Sequence, residues 1–154
     1  MATDNLNQIN ELFDGLIERL SPQKRKQLAR DISRKLRSSQ AKRIKENKAP
    51  DGSQFDARKP QPSWRTKKGS IKKKLMFQKL IRTKYLKSGY TSDQASAGFI
   101  GLLAYIARQH QYGLRGKVND QVSIQYPERQ LLGFTEDEQA LIEETLINHL
   151  ESDA

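Results

Sequence analysis

The chain has 154 residues, 35% of them hydrophobic and 30% charged, and carries a formal net charge of +10. That length fits a single domain with a modest core, one that a partner surface or a second copy helps to complete. The sequence holds no cysteine, which excludes disulfides and thiolate metal sites; its opening lacks a secretory pattern, and its longest apolar stretch, residues 97–107, is too short to span a bilayer.

Residues 4–20 read as the first helix. Leu6, Ile9, Leu12, Phe13, Leu16, Ile17 and Leu20 recur at three and four residues, the spacing of one helical face. Ser21 and Pro22 then mark a stop and a restart, because a serine oxygen can accept from an orphan amide and proline suits the first helical position. The second helix is predicted from Pro22 to about Glu46. Its apolar stripe is narrow: Leu28, Ile32 and Leu36, with Ala29 and Ala41 beside it. Lys24, Arg25, Lys26, Arg30, Arg34, Lys35, Arg37, Lys42, Arg43 and Lys45 cover the remainder. Two helices so briefly joined should form an antiparallel hairpin, one face packed and the other strongly positive.

Periodicity stops over residues 47–70. Three of the five prolines, Pro50, Pro60 and Pro62, lie here with Gly52 and Gly69, and the apolar residues reduce to Phe55 and Trp64. A long irregular or mobile loop is expected within a single domain spanning residues 1–154. Beyond it, a short turn of helix should lead into a strand over residues 80–90, where Ile81, Thr83 and Tyr85 alternate. Residues 95–101 read as its partner, with the turn near Asp93 and Gln94. Two strands alone are marginal, so this hairpin must rest on helices or on neighbouring subunits.

A short helix follows over residues 102–112, with Leu103, Ile106, Ala107 and His110 on one face. Gly113 stands where a left-handed C-terminal cap requires glycine. Residues 114–130 read as irregular or extended, Val118, Val122 and Ile124 being spaced as a short strand. The last helix starts after Gly133 and Phe134. Thr135 and Glu138 form a capping box, Glu136 and Asp137 complement the helix dipole, and Leu141, Ile142, Leu146, Ile147 and Leu150 supply the buried stripe. The predicted class is α+β: an N-terminal helical hairpin, a small antiparallel β-hairpin, a short middle helix and a C-terminal helix.

The residues needed for catalysis are missing from the sequence. There is no GxSxG elbow and no glycine-rich phosphate loop, the two histidines lack a second ligand at helical spacing, and the carboxylates of residues 136–144 are accounted for by capping and solvation. No enzyme, metal or cofactor is expected. Charge is the stronger signal: residues 24–87 carry +19, against −3 before them and −6 after. Such a field attracts nucleic acid or an acidic protein surface. The candidate partner-binding residues are Lys24, Arg25, Arg34, Lys35, Arg37, Lys42 and Arg43 on the second helix, and Trp64, Lys67, Lys68, Lys72, Lys73 and Lys74 after it. Lysines beside Trp64 and Phe77 could neutralise phosphates while the rings stack on bases, but no nucleic-acid fingerprint accompanies them. An acidic protein partner is favoured, and DNA is the alternative. A lipid surface fits less well, since the stripe of the second helix lacks aromatic residues.

One set of strings goes further. IARQHQYGLRGKV occupies residues 106–118 and YPERQLLGF residues 126–134; MFQKLIRTKYLK at residues 76–87 and then ASAGFIG precede them. In this order they resemble the phage virion morphogenesis family, the tail completion proteins of contractile-tailed phages, in which an HQYG or HQFG string precedes a PxRxxLG loop. The corresponding positions are His110, Gln111, Tyr112 and Gly113, then Pro127, Arg129, Leu131, Leu132 and Gly133. The N-terminal helix pair and the DGSQF…W segment, residues 51–64, also follow the family's layout, so the likeness covers nearly the whole chain. One departure is Glu128, where many members carry alanine.

The resemblance implies a structural role at the head-proximal end of the tail, where the tube stops growing and joins the head. It implies other tail or neck proteins as partners, a homo-oligomeric ring of six subunits to match a tail tube, no membrane, and a place in the virion after assembly in the host cytoplasm. The residues themselves supply a physical counterpart: Pro127 fixes the backbone, Gly133 permits an unusual dihedral, Leu131 and Leu132 anchor, and Arg129 offers a forked donor. This corner is expected to serve folding, and the basic helix and loop to serve binding.

Overall fold

A computed structural model of the chain describes residue 11, residues 14–58 and residues 76–152. Of the first predicted helix, residue 11 and residues 14–20 are described, with 11 and 14–18 helical; Leu6, Ile9, Leu12 and Phe13 lie outside the described residues. The central strut is α1, Pro22–Lys45. Ser21, in extended conformation, caps it by accepting the Lys24 amide at 3.3 Å, and proline occupies the first turn. Lys42, Arg43 and Lys45 lie in its last turn, where cations complement the dipole. Ile17 and Leu20 gather with Leu28, Ile32, Leu146 and Leu150 in one apolar cluster, so the chain doubles back at Ser21. This is the expected helical hairpin.

Residues 47–58 depart from the irregular loop. Asn47 takes φ 58° and Gly52 φ 87°, Lys48 bridges Gln54, and the Phe55 amide returns to the Asn47 carbonyl at 2.7 Å. The result is a tight hook that buries Phe55 in the main cluster with Ile44, Phe77, Leu80, Ala107 and Leu131. The rest of the expected loop, residues 59–70, lies outside the described residues.

Residues 76–85 are turns, not strand. Phe77 has φ 65°, and amides from Ile81, Tyr85 and Leu86 close successive turns onto Phe77 and Arg82 carbonyls. These turns bury Met76, Phe77 and Leu80 together, which an extended chain cannot do because its side chains alternate. The strand therefore begins at β1, Leu86–Tyr90, six residues after the position its alternation predicts. It pairs antiparallel with β2, Ala95–Phe99, in the register Leu86 to Phe99 through Tyr90 to Ala95. This hairpin lies on α1, satisfying the need for a backing layer.

Next, α2 covers Leu102–Tyr112 and ends at Gly113, whose φ of 59° and ψ of 48° are the left-handed cap. A second small hairpin joins β3, Arg115–Lys117, to β4, Ser123–Gln125, with Asn119 Oδ1 holding the turn through the Gln121 and Val122 amides. The last element, α3, spans Glu136–Glu151, carries the complete Thr135–Glu138 capping box and packs on α1. The fold is thus α+β, helices with two small antiparallel sheets. Two stripe assignments change: Ile106 and Ile147, expected inside, are 39% and 46% exposed. No helix among the described residues is long and apolar enough to cross a membrane.

Candidate partner-binding site

The string around His110 and the loop around Arg129 meet and fasten each other. Gln111 reaches across from α2 and acts as a surrogate peptide: its Oε1 accepts the Leu131 and Leu132 amides, both at 2.8 Å, and its Nε2 donates to the Leu132 carbonyl at 2.9 Å. Arg129 is 5% exposed. Its Nε donates to the Asp56 carbonyl at 2.7 Å and its Nη2 to the Ala57 carbonyl at 3.1 Å, so the fork closes on the hook instead of on a carboxylate. Its Nη1 lies 3.2 Å from His110 Nδ1, and its own amide bonds the His110 carbonyl at 2.7 Å.

His110 is consequently boxed in. Phe77 and Tyr126 meet its ring edge-to-face, with centroids 4.9 and 4.7 Å away. Burial first, then the positive charges of Arg129 and Arg58, lower its pKa to about 4. At neutral pH the ring is uncharged, and Nδ1 accepts from Arg129. Leu131 is fully buried. Gly133 is needed for a different reason than expected: its φ is not positive, but a Cβ there would stand 2.6 Å from Pro50 Cγ. Tyr112 differs from its neighbours, being 63% exposed.

On α1 the basic residues divide. Arg37 donates to the Leu86 carbonyl at 2.6 Å and the Ile81 carbonyl at 3.0 Å. Arg43 donates to the Lys48 and Leu131 carbonyls, at 3.0 and 2.8 Å, and to Gln40 Oε1 at 3.2 Å. Both arginines staple the body together. Lys35 bonds Thr145 Oγ1 at 2.9 Å, and Arg25 lies 4.0 Å from Asp93. Lys26 and Lys35 of α1 are exposed, and so are Lys24, Arg34, Lys42 and Lys45. At 100° per residue the last four fall within about a quarter-turn of one another. The acidic residue on that arc, Asp31, is engaged by His149 Nε2 at 2.9 Å. Trp64, Lys67, Lys68, Lys72, Lys73 and Lys74 lie outside the described residues.

The burial of Gln40 escaped the sequence reading, which named Glu138 for its cap without its burial. Gln40, buried, donates to the Gly133 carbonyl at 3.1 Å. Its signal was available: it continues the 28, 32, 36 stripe, so a polar group was headed inward. Glu138 is 1% exposed, with Oε2 accepting the Thr135 amide at 3.2 Å. Burial lowers the Arg43 pKa, and the charge of Glu138 opposes that shift. Among the described residues no group of three or more His, Asp or Glu is placed to hold a metal ion.

Comparison with known proteins agrees with this arrangement of motifs. The model of the phage virion morphogenesis family matches residues 4–151. Tail completion protein S of Escherichia phage P2 is 40% identical over 150 residues, covering 96% of this chain and 99% of that protein. No solved structure matches the chain.

Proposed function

Because this chain belongs to the phage virion morphogenesis family, we propose that it is a non-catalytic tail completion protein, acting at the head-proximal end of the tail and enabling heads to join. The observation that carries the reading is the near end-to-end similarity to a tail completion protein. Its partners are tail or neck proteins, it works as self-associated subunits in a ring, and it belongs to the virion after assembly in the host cytoplasm. The division of labour on α1 supports a binding role. Arg37 and Arg43 help to hold the body, whereas Arg34, Lys42 and Lys45 lie in an exposed positive quadrant. An acidic protein surface suits such a face, and steering by opposite charge speeds docking.

Electron microscopy of particles made without this chain tests the reading. Unjoined heads and tails, or tails of uncontrolled length, are expected; filled heads on normal tails overturn it. DNA passing the same cations is the second reading, favoured only by their sign. It predicts retention on DNA that falls steeply with salt.

A further inference from the structure

Beside α2 lies a depression of about 480 Å³. Leu80, Leu103, Ile106 and Met76 give it an apolar floor, and Arg58, Lys79 and Arg82, all exposed, stand at its rim. The apolar surface continues along the outer face of α2 through Leu102, 85% exposed, and Tyr105, 61% exposed. Elsewhere on the molecule, the outer face of α3 has the opposite character. Glu143, Glu144, Ile147 and Glu151 share one helical face at spacings of three and four, and all four are exposed. The isoleucine there is an apolar knob set among three carboxylates. Among the described residues, no ion pair engages these glutamates or the three rim cations.

We propose that the chain self-associates head to tail, the Ile147 face of α3 in one copy seating in the cation-rimmed apolar depression beside α2 of the next. Size and sign agree: one branched knob for one apolar floor, three carboxylates for three cations. A nucleic acid satisfies the cations but leaves the Leu103 and Ile106 floor facing phosphate, so a second copy fits better. The two faces belong to different parts of the body, since α2 packs on the β1–β2 hairpin and α3 on α1. Each subunit therefore offers one donor face and one acceptor face, a heterologous contact that closes into a ring or continues as a filament. The inference rests on the tail-completion reading for its purpose, but the contact itself can be tested apart from it.

The sequence has no cysteine, so single thiols report cleanly. Chains carrying Ile106→Cys and chains carrying Ile147→Cys are mixed and mildly oxidised. Disulfide dimers are expected in the mixture and not with either variant alone. In sedimentation, Glu143→Lys with Glu144→Lys should weaken wild-type self-association by about tenfold or more, because like charges then face each other. Mixing those chains with Lys79→Glu, Arg82→Glu chains should restore pairing. A wild-type chain that stays monomeric overturns the proposal, as does association indifferent to these reversals or cross-linking confined to Ile147→Cys alone. If the cross-link forms and the reversals dissociate the chain, yet such variants still complete tails, the contact stands and its role in tail completion falls.

Discussion

Arg129 shows how one side chain can bind three segments. Its guanidinium joins the loop before α3 to the hook at Asp56 and Ala57 and to the His110 ring of α2. Truncation leaves two carbonyls and a ring nitrogen without their donor and removes a buried side chain. Arg129→Ala should therefore cost about 3 kcal/mol in urea unfolding, whereas Lys45→Ala, at an exposed position, should shift the midpoint little. His110 adds a pH signature. Its folded pKa of about 4 lies below the ordinary 6.5, so the unfolded chain binds the proton more readily. The stability held by the neutral ring is complete above about pH 7 and drains as pH falls from 6.5 towards 4. For a half-buried ring that still meets water, the loss should be about 1–2 kcal/mol. A His110→Phe chain should show a flatter stability profile across that window. The motif strings flagged both residues, but not their partners: the Asp56 and Ala57 carbonyls are more than 70 positions away in sequence, and only the hook brings them near.

The helices were the most legible elements because their ends carry local chemistry. Ser21 with Pro22, Gly113, and Thr135 with Glu138 each stop or start a helix through hydrogen bonds made within a few residues. Gly113 is the sharpest case. Its φ is 59°, and a Cβ would approach the Glu128 backbone nitrogen to 3.0 Å. Gly113→Ala should cost about 1–2 kcal/mol for the left-handed backbone alone, with a lower melting temperature as the readout. A loss no greater than that of Gly98→Ala, where nothing lies within reach of a Cβ, would contradict the cap's importance. The β1 boundary was less legible: residues 80–85 alternate like a strand, but Phe77 and Leu80 are drawn into the core with Phe55, and turns accomplish that burial. Likewise Ile106 and Ile147 matched helical stripes, yet a stripe names a face without saying what covers it.

At the scale of the whole molecule, net charge alone overstates the binding surface. The sequence concentrates positive charge in residues 24–87, but folding turns part of it inward onto carbonyls, because an arginine fork can satisfy several acceptors where no carboxylate is available. The direction of a long side chain depends on what lies opposite α1, and that is set by strands and loops far along the chain. Part of what remains outside is a compact quadrant on α1, distinct from the apolar and acidic faces of α2 and α3.

The most direct measurement places the protein on the particle. Purified chain, gold-labelled and added to tails assembled without it, is imaged by negative-stain electron microscopy. Gold should mark the head-proximal end, and should be lost when Arg34→Glu, Lys42→Glu and Lys45→Glu are combined in a chain that melts like wild type. Gold scattered along the tube, or end-labelling unchanged by those three reversals, would contradict a tail completion protein that docks through its basic helix.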